Sequence, residues 1–295
     1  MYNNDEHEKM MVELRRLMGE RENLTKKDLE EIVNQLSSGK TIPKSQLTPK
    51  QQAENLVLEA RELASKGEMD QAGKKIEEAL ELNPDSIEAY ELLAQYAATA
   101  ERLIECLSRA IYIGMELFPE AYLMKHGGDF WSVPETRPLM RCMKMLADHY
   151  FFSGDTVKAV DFFEKMILLN KKDHQGVRFQ LFPALLELGD FKKFQRYDNL
   201  YEDSGNTFAL FTRALFAFKT KGKCAFSNNK LKEAMQANQY VAKLLLSNTE
   251  ISTIPETYKR GDENEAQYYV KVAKSAWQKK EGALDWLRNY QIQFY

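Results

Sequence analysis

Apolar residues recur at steps of three and four along nearly the whole chain, the period of helices with one buried face. Met10, Leu14, Leu17 and Met18 form such a stripe within residues 5–20, and Leu29, Ile32, Val33 and Leu36 form a second that ends near Gly39. Between them, Asn23 offers a stop, and Thr25 with Asp28 offers an N-cap and an acid in the first turn. The pattern predicts an N-terminal helical hairpin over residues 1–37. Residues 38–50 carry Ser, Gly, Lys, Thr, Pro43 and Pro49 with few apolar anchors, the composition of a linker. From residue 51 to 295 the helical period strengthens and comes in pairs.

One pair fills the frame 53–86, a window of about 34 residues. Small Ala60 lies in its first helix, Gly67 at the turn, Ala72 and Ala79 in its second helix with Ile76 between them, and Pro84 follows. The spacing has a physical cause. Ala60 and Ala72 fall where two antiparallel helices cross, and only a small side chain lets the backbones approach there. Gly67 relaxes the tight turn, and Pro84 cannot continue the helix. A second frame, 140–173, repeats the arrangement with Ala147, Tyr150, Gly154, Ala159 and Phe163, and with Met166 in place of the later alanine. Its turn reads Ser153-Gly154-Asp155, and Thr156 is expected to cap the helix that follows.

Other segments are degenerate copies. Residues 87–117 carry Tyr90, Leu93 and Ala94, then Cys106, Leu107 and Ala110, with a short turn. Residues 175–205 carry Leu185, Leu186, Gly189 and Phe194. Residues 207–240 begin with Phe208, Phe211, Ala214 and Leu215; a loop is expected over Cys224–Asn229 before a helix with Leu231, Ala234 and Val241. Asp262 with Glu265 opens a closing segment that carries Tyr269, Ala273, Trp277, Leu284 and Trp286, of the atypical kind that ends a repeat array.

The two frames identify residues 51–295 as similar to the tetratricopeptide repeat (TPR) superfamily. The resemblance implies an all-α fold, a right-handed superhelix of antiparallel helix pairs, or α-solenoid. Three blocks resemble a narrower, mostly bacterial TPR group: Gly128-Asp129-Phe130-Trp131 with Glu135-Thr136-Arg137-Pro138-Leu139-Met140-Arg141, Asn170 to Arg178, and Gly282 to Leu287. The likeness covers roughly residues 50–290 and implies an adaptor role without a reaction. TPR proteins that hold chaperone C-termini use a Lys/Asn clamp on the first helices. The equivalent positions here are Val57 and Arg61 in one frame, and Lys144 and Asp148 in the other, so that clamp is not expected.

Composition narrows the functions. The chain has 295 residues, 44% of them hydrophobic and 29% charged, with a formal net charge of −3. That balance suits a folded protein and gives no electrostatic reason to bind nucleic acid or an anionic membrane. No apolar run approaches the roughly 20 residues a membrane span needs. The polar start, Met1 to Glu8, is not the pattern of a secretory signal. Cys106, Cys142 and Cys224 form no CxxC pair, so free thiols in a cytoplasmic protein are expected.

The chemistry-bearing residues gather at His126–Arg141 and Asp173–Arg178. The candidate partner-binding set is Phe130, Trp131, Glu135, Arg137, Arg141, Asp173, His174 and Arg178. In a solenoid the first helices line the concave face, where Arg137, Arg141 and Arg178 would hold a carboxylate or phosphate bidentately. The competing reading pairs Glu135, Arg137, Asp173 and Arg178 with each other to fix an irregular repeat junction. Phe130 and Trp131 are expected to be partly exposed. His126 and Asp129 lack metal-ligand spacing, no HExxH or nucleophile–base pattern occurs, and Gly127-Gly128 is a turn rather than a phosphate loop. The expectation is a non-catalytic scaffold with no cofactor or metal that binds an unidentified protein or peptide. The alternatives are a small-ligand site or enzyme at His126–Arg141, and a self-assembling structural protein whose N-terminal hairpin makes a homodimer.

Overall fold

The computed structural model describes Thr25–Lys27, Glu30, Asn34 and residues 47–201 and 205–292. The expected N-terminal hairpin lies largely outside these residues. The described chain is all-α, built largely of paired helices, and divides into two compact units. The first takes in the described residues up to Leu146 together with Leu168–Lys172; the second comprises Ala147–Ile167 and the described residues from Asp173 onward.

The first unit opens with α1 (Pro49–Ser65) and α2 (Met69–Leu82). Helix α1 begins inside the stretch read as linker. Thr48 explains the start: its hydroxyl accepts the Gln51 N–H at 3.3 Å, while the Gln51 side chain accepts the Thr48 N–H at 2.9 Å, a capping box. Leu47 is already buried. The α1–α2 turn passes through Gly67 at φ 81°, a left-handed position that glycine adopts without Cβ strain. Ala60, Ala72 and Ala79 are each at most 2% exposed, so the two backbones meet where the frame put its small residues. With Val57, Ile76, Ala89 and Leu92 they form one apolar cluster. Fully burying a Leu92-sized side chain contributes about 1.5–3 kcal/mol.

The next pair is α3 (Ile87–Gln95) and α4 (Ala100–Leu117), capped by Ser86 and Thr99. Helix α3 is short, whereas its turn to α4, residues 96–99, is not compressed as the sequence suggested. Helix α5 (Glu120–His126) leads into two 3-10 turns, Phe130–Ser132 and Pro134–Thr136, and then into α6 (Arg137–Phe152).

The end of α6 and α7 (Thr156–Leu169) open the second unit, with Ala147, Ala159 and Phe163 fully buried. The cap of α7 is Asp155 rather than Thr156: the Asp155 carboxylate accepts the Lys158 N–H at 3.2 Å, and the Thr156 hydroxyl instead donates to Glu187 at 2.8 Å. An aspartate one residue earlier sits in register with the N3 amide, and that frees the threonine for a neighbouring helix.

Two further pairs follow in this unit, α8 (Arg178–Leu188) with α9 (Phe191–Leu200), and α10 (Thr207–Lys221) with α11 (Ala225–Ala237). Helix α8 also packs on α13 (Glu263–Gln278), beside α12 (Tyr240–Leu246) and α14 (Ala283–Ile292). The loop expected through Asn229 ends at Cys224. Ser227 is the reason: its hydroxyl donates to the Gly222 carbonyl at 2.7 Å and accepts the Cys224 N–H at 3.0 Å, which starts α11 early. Asp262 caps α13 through the Glu265 N–H at 2.7 Å, as its sequence signature implies. The closing layer is aromatic. Trp277 donates to the Tyr269 hydroxyl at 2.9 Å, Trp286 donates to Asn228 at 2.8 Å, and Phe218 stacks on Trp286 at 4.6 Å.

Candidate functional site

The insert before α6 is built from the inside outward. Phe130 is fully buried, against the expectation of partial exposure. Phe118 and Tyr122 meet it edge-on, each at 6.0 Å, so burial and favourable ring geometry hold it in the core. Thr136, also fully buried, donates to the carbonyls of Phe130 and Val133 and clamps the two 3-10 turns together. Gly128 (φ 94°) and Asp129 make isolated bridges to Asn170, and the Lys171 N–H donates to the Gly128 carbonyl at 2.8 Å. Asp129 accepts from the Ser132 hydroxyl at 2.6 Å and lies 3.9 Å from the Lys172 ammonium.

Trp131 is half-buried, and its carbonyl accepts the Arg137 Nε–H at 2.8 Å. The Arg137 guanidinium also lies over the Trp131 ring, 5.8 Å from its centroid. Arg141 goes elsewhere. Its Nε and Nη2 donate to the two oxygens of Glu91, each at 2.7 Å. Glu91, only 1% exposed, was missed by sequence reasoning. The signal was present: an acid inside the apolar run Leu92, Leu93, Ala94 of a first helix. Glu135 is exposed and lines a groove of about 480 Å³ with residues of α1 and α3. Burial raises the Tyr122 phenol, and the charge of Glu135 adds to the rise.

In the second unit, Asp173 is buried at φ 51°. Its carboxylate accepts the N–H groups of Val177 at 2.8 Å and Arg178 at 3.1 Å, and pairs with Arg178 Nη1 at 2.9 Å. Burial pushes its carboxyl up, against the pull of these donors. The Arg178 guanidinium lies over Phe179 at 4.6 Å and over Tyr201 at 5.0 Å. Phe179 stacks on Phe208, which Tyr268 meets edge-on. Gln180, 1% exposed, donates to Asp148 at 2.8 Å. Burial, then the charge of Asp148, pushes the Tyr268 phenol up to about 12. His174 is exposed.

Of the predicted set, Phe130, Trp131, Glu135, Arg137 and Arg141 thus belong to the first unit, and Asp173, His174 and Arg178 to the second. Among the described residues, no group of three or more His, Cys, Asp or Glu side chains is placed to hold a metal ion, and no helix is long and apolar enough to cross a membrane. Cys106 and Cys142 are buried free thiols, and Cys224 is half-buried.

No family model and no curated protein matches the chain. Among solved structures it is similar to YrrB, described as a TPR protein with an unusual peptide-binding site, at 18% identity over 61% of this chain and 84% of that one, with a TM-score of 0.45.

Proposed function

We propose that this chain is a non-catalytic scaffold that holds a protein or peptide partner through side chains on its first helices and on the insert before α6. The reading is carried by one observation, the ordering of Arg137 against Trp131 by a 2.8 Å hydrogen bond and a ring contact at 5.8 Å. A flat cation held on an indole loses little further rotamer freedom on binding, which lowers the cost of recognition. Glu135 and His174 are exposed and Trp131, Arg137 and Arg178 half-buried, so these meet the partner. Within the second unit, Asp173 holds Arg178 in place. Asp173 pairs with Arg178, Arg141 with Glu91, and Arg137 with the Trp131 carbonyl, which supports a structural rather than a catalytic use.

Affinity capture from the native cell, with wild type, Arg137→Ala and Lys74→Ala side by side, tests this. Arg137→Ala is expected to lose the partner and exposed Lys74→Ala to keep it. Equal capture by both folded variants overturns the proposal. A cytoplasmic setting and a homodimer through residues 1–37 belong to the same reading. Light scattering of a chain that begins at Leu47 tests the dimer, because Leu47 is buried and Thr48 caps α1; an unchanged oligomeric state removes it.

A further inference from the structure

We infer that Phe294, just outside the described residues, fills a pocket at the end of α11, so that the chain closes its last helices with its own aromatic side chain. This holds whether or not the chain binds a partner. The pocket measures about 440 Å³ and lies within the second unit. Lys232, Met235, Gln236 and Ala237 line it from the last turns of α11, Gln239 from just before α12, and Tyr290 from α14.

The apolar stripe of α14 is the first observation that names the occupant. Ala283, Trp286, Leu287 and Tyr290 recur at steps of three and four, and all are buried. Phe294, four residues beyond Tyr290, is the next member of that stripe. Helix α14 is described as far as Ile292, so two more residues of the same helix, at about 1.5 Å each, bring the chain to it. Tyr295 stands about 100° further round, off the stripe.

Register is the second observation. Helix α14 advances along α11 in step with it. Trp286 donates to Asn228 at 2.8 Å near the start of α11, and Tyr290 shares the pocket with Lys232 and Met235, one to two turns later. The next turn of α14 therefore brings position 294 against residues 236–239, the remainder of the lining. The chemistry there suits a benzyl group. Met235 and Ala237 are half-buried and Tyr290 is buried, a thioether and a ring that both pack well against an aromatic edge. Lys232, Gln236 and Gln239 are exposed around them, where their stems cover apolar surface while their heads stay in water.

Thermal melts of the full chain test the assignment. Phe294→Ala is expected to lower the melting temperature by about 3 °C or more, and Phe294→Leu by less. Tyr295→Ala is expected to melt like wild type. Met235→Lys puts a charge in the pocket and is expected to cause a fall of its own, to which Phe294→Ala then adds little. A second measurement locates the side chain itself. With 4-benzoylphenylalanine at position 294, irradiation is expected to link it to the segment Met235–Gln239 of the same chain, read by mass spectrometry of the digest. A wild-type melt for Phe294→Ala, an equal fall for Tyr295→Ala, or a link that goes elsewhere or joins two chains overturns the assignment.

Discussion

Arg141 and Glu91, 50 residues apart in the chain, meet in a two-point ion pair with both contacts at 2.7 Å. The Glu91 side chain is 2% exposed and that of Arg141 23%, so the two ends of the pair are not equivalent. Arg141→Leu strands a buried carboxylate and is expected to cost about 3–5 kcal/mol. Glu91→Leu leaves a cation that can reach water and is expected to cost less. The double variant should recover most of the loss. Urea unfolding of all four proteins measures the coupling, and additive losses would show that the pair does not act as a unit.

How far the sequence could be read follows from the range of each interaction. Ala60, Gly67 and Ala72 were legible because a helix crossing is made within one pair, and its small residues recur at fixed spacing. Asp262 was legible because a cap acts over three residues. The partner of Arg141 was not, since Glu91 lies 50 residues away: its apolar neighbours mark it as a buried acid but do not say what it pairs with. Phe130 was misread for a similar reason: it stands in an irregular segment, while the rings of Phe118 and Tyr122 that bury it come from the preceding helices. Of the candidate site, the residue types and their two clusters were readable; which members face outward and which stand behind them was not.

Ala60→Asp and Ala159→Asp each place a carboxylate at a position with no exposure. Burying a carboxylate there is expected to cost more than about 4 kcal/mol and to remove the cooperative melt. Thermal denaturation followed by circular dichroism checks this, and a wild-type melting curve for either variant would refute the assigned helix crossings.

Gly114→Ala is expected to destabilise although alanine favours helix by about 1 kcal/mol over glycine. A Cβ at Gly114 would stand 2.8 Å from Leu139 Cδ1 and 3.1 Å from its Cβ. Making room for it costs about 1–3 kcal/mol. Leu139→Ala, itself destabilising, should relieve part of the penalty of Gly114→Ala in the double variant, because the Cδ1 contact goes while the Cβ contact at 3.1 Å stays. A chevron or urea series on the four proteins decides it; a stabilised Gly114→Ala single variant would mean that α4 and α6 separate freely.

Glu187 ties three helices of the second unit, accepting from Thr156 at 2.8 Å and pairing with Lys279 at 2.6 Å. Burial pushes its carboxyl up, but hydrogen bonds from Lys279, Ser275 and Thr156 outweigh that and hold it below the ordinary glutamate value. A depressed folded-state value means that its stabilisation is present above the unfolded value, near pH ~4.3, and is lost as pH falls through the folded one. Glu187→Gln should therefore unfold less steeply than wild type below pH ~4 and be the less stable of the two near neutrality. Denaturant midpoints measured across that range test the sign.

The pairing of Gly128 and Asp129 with Asn170 places a constraint on the lineage of this protein. Surface loops ordinarily drift in length, because lengthening one costs little. Here the insert is stitched to the chain beyond α7 at a fixed register, and a Cβ at Gly128 would come within 2.9 Å of the Lys171 side chain. A residue gained or lost between Gly128 and Thr136 would break either that stitch or the Thr136 clamp. Length variation among descendants should therefore avoid this segment and collect at the α1–α2 and α6–α7 turns, whose glycines have open space around them.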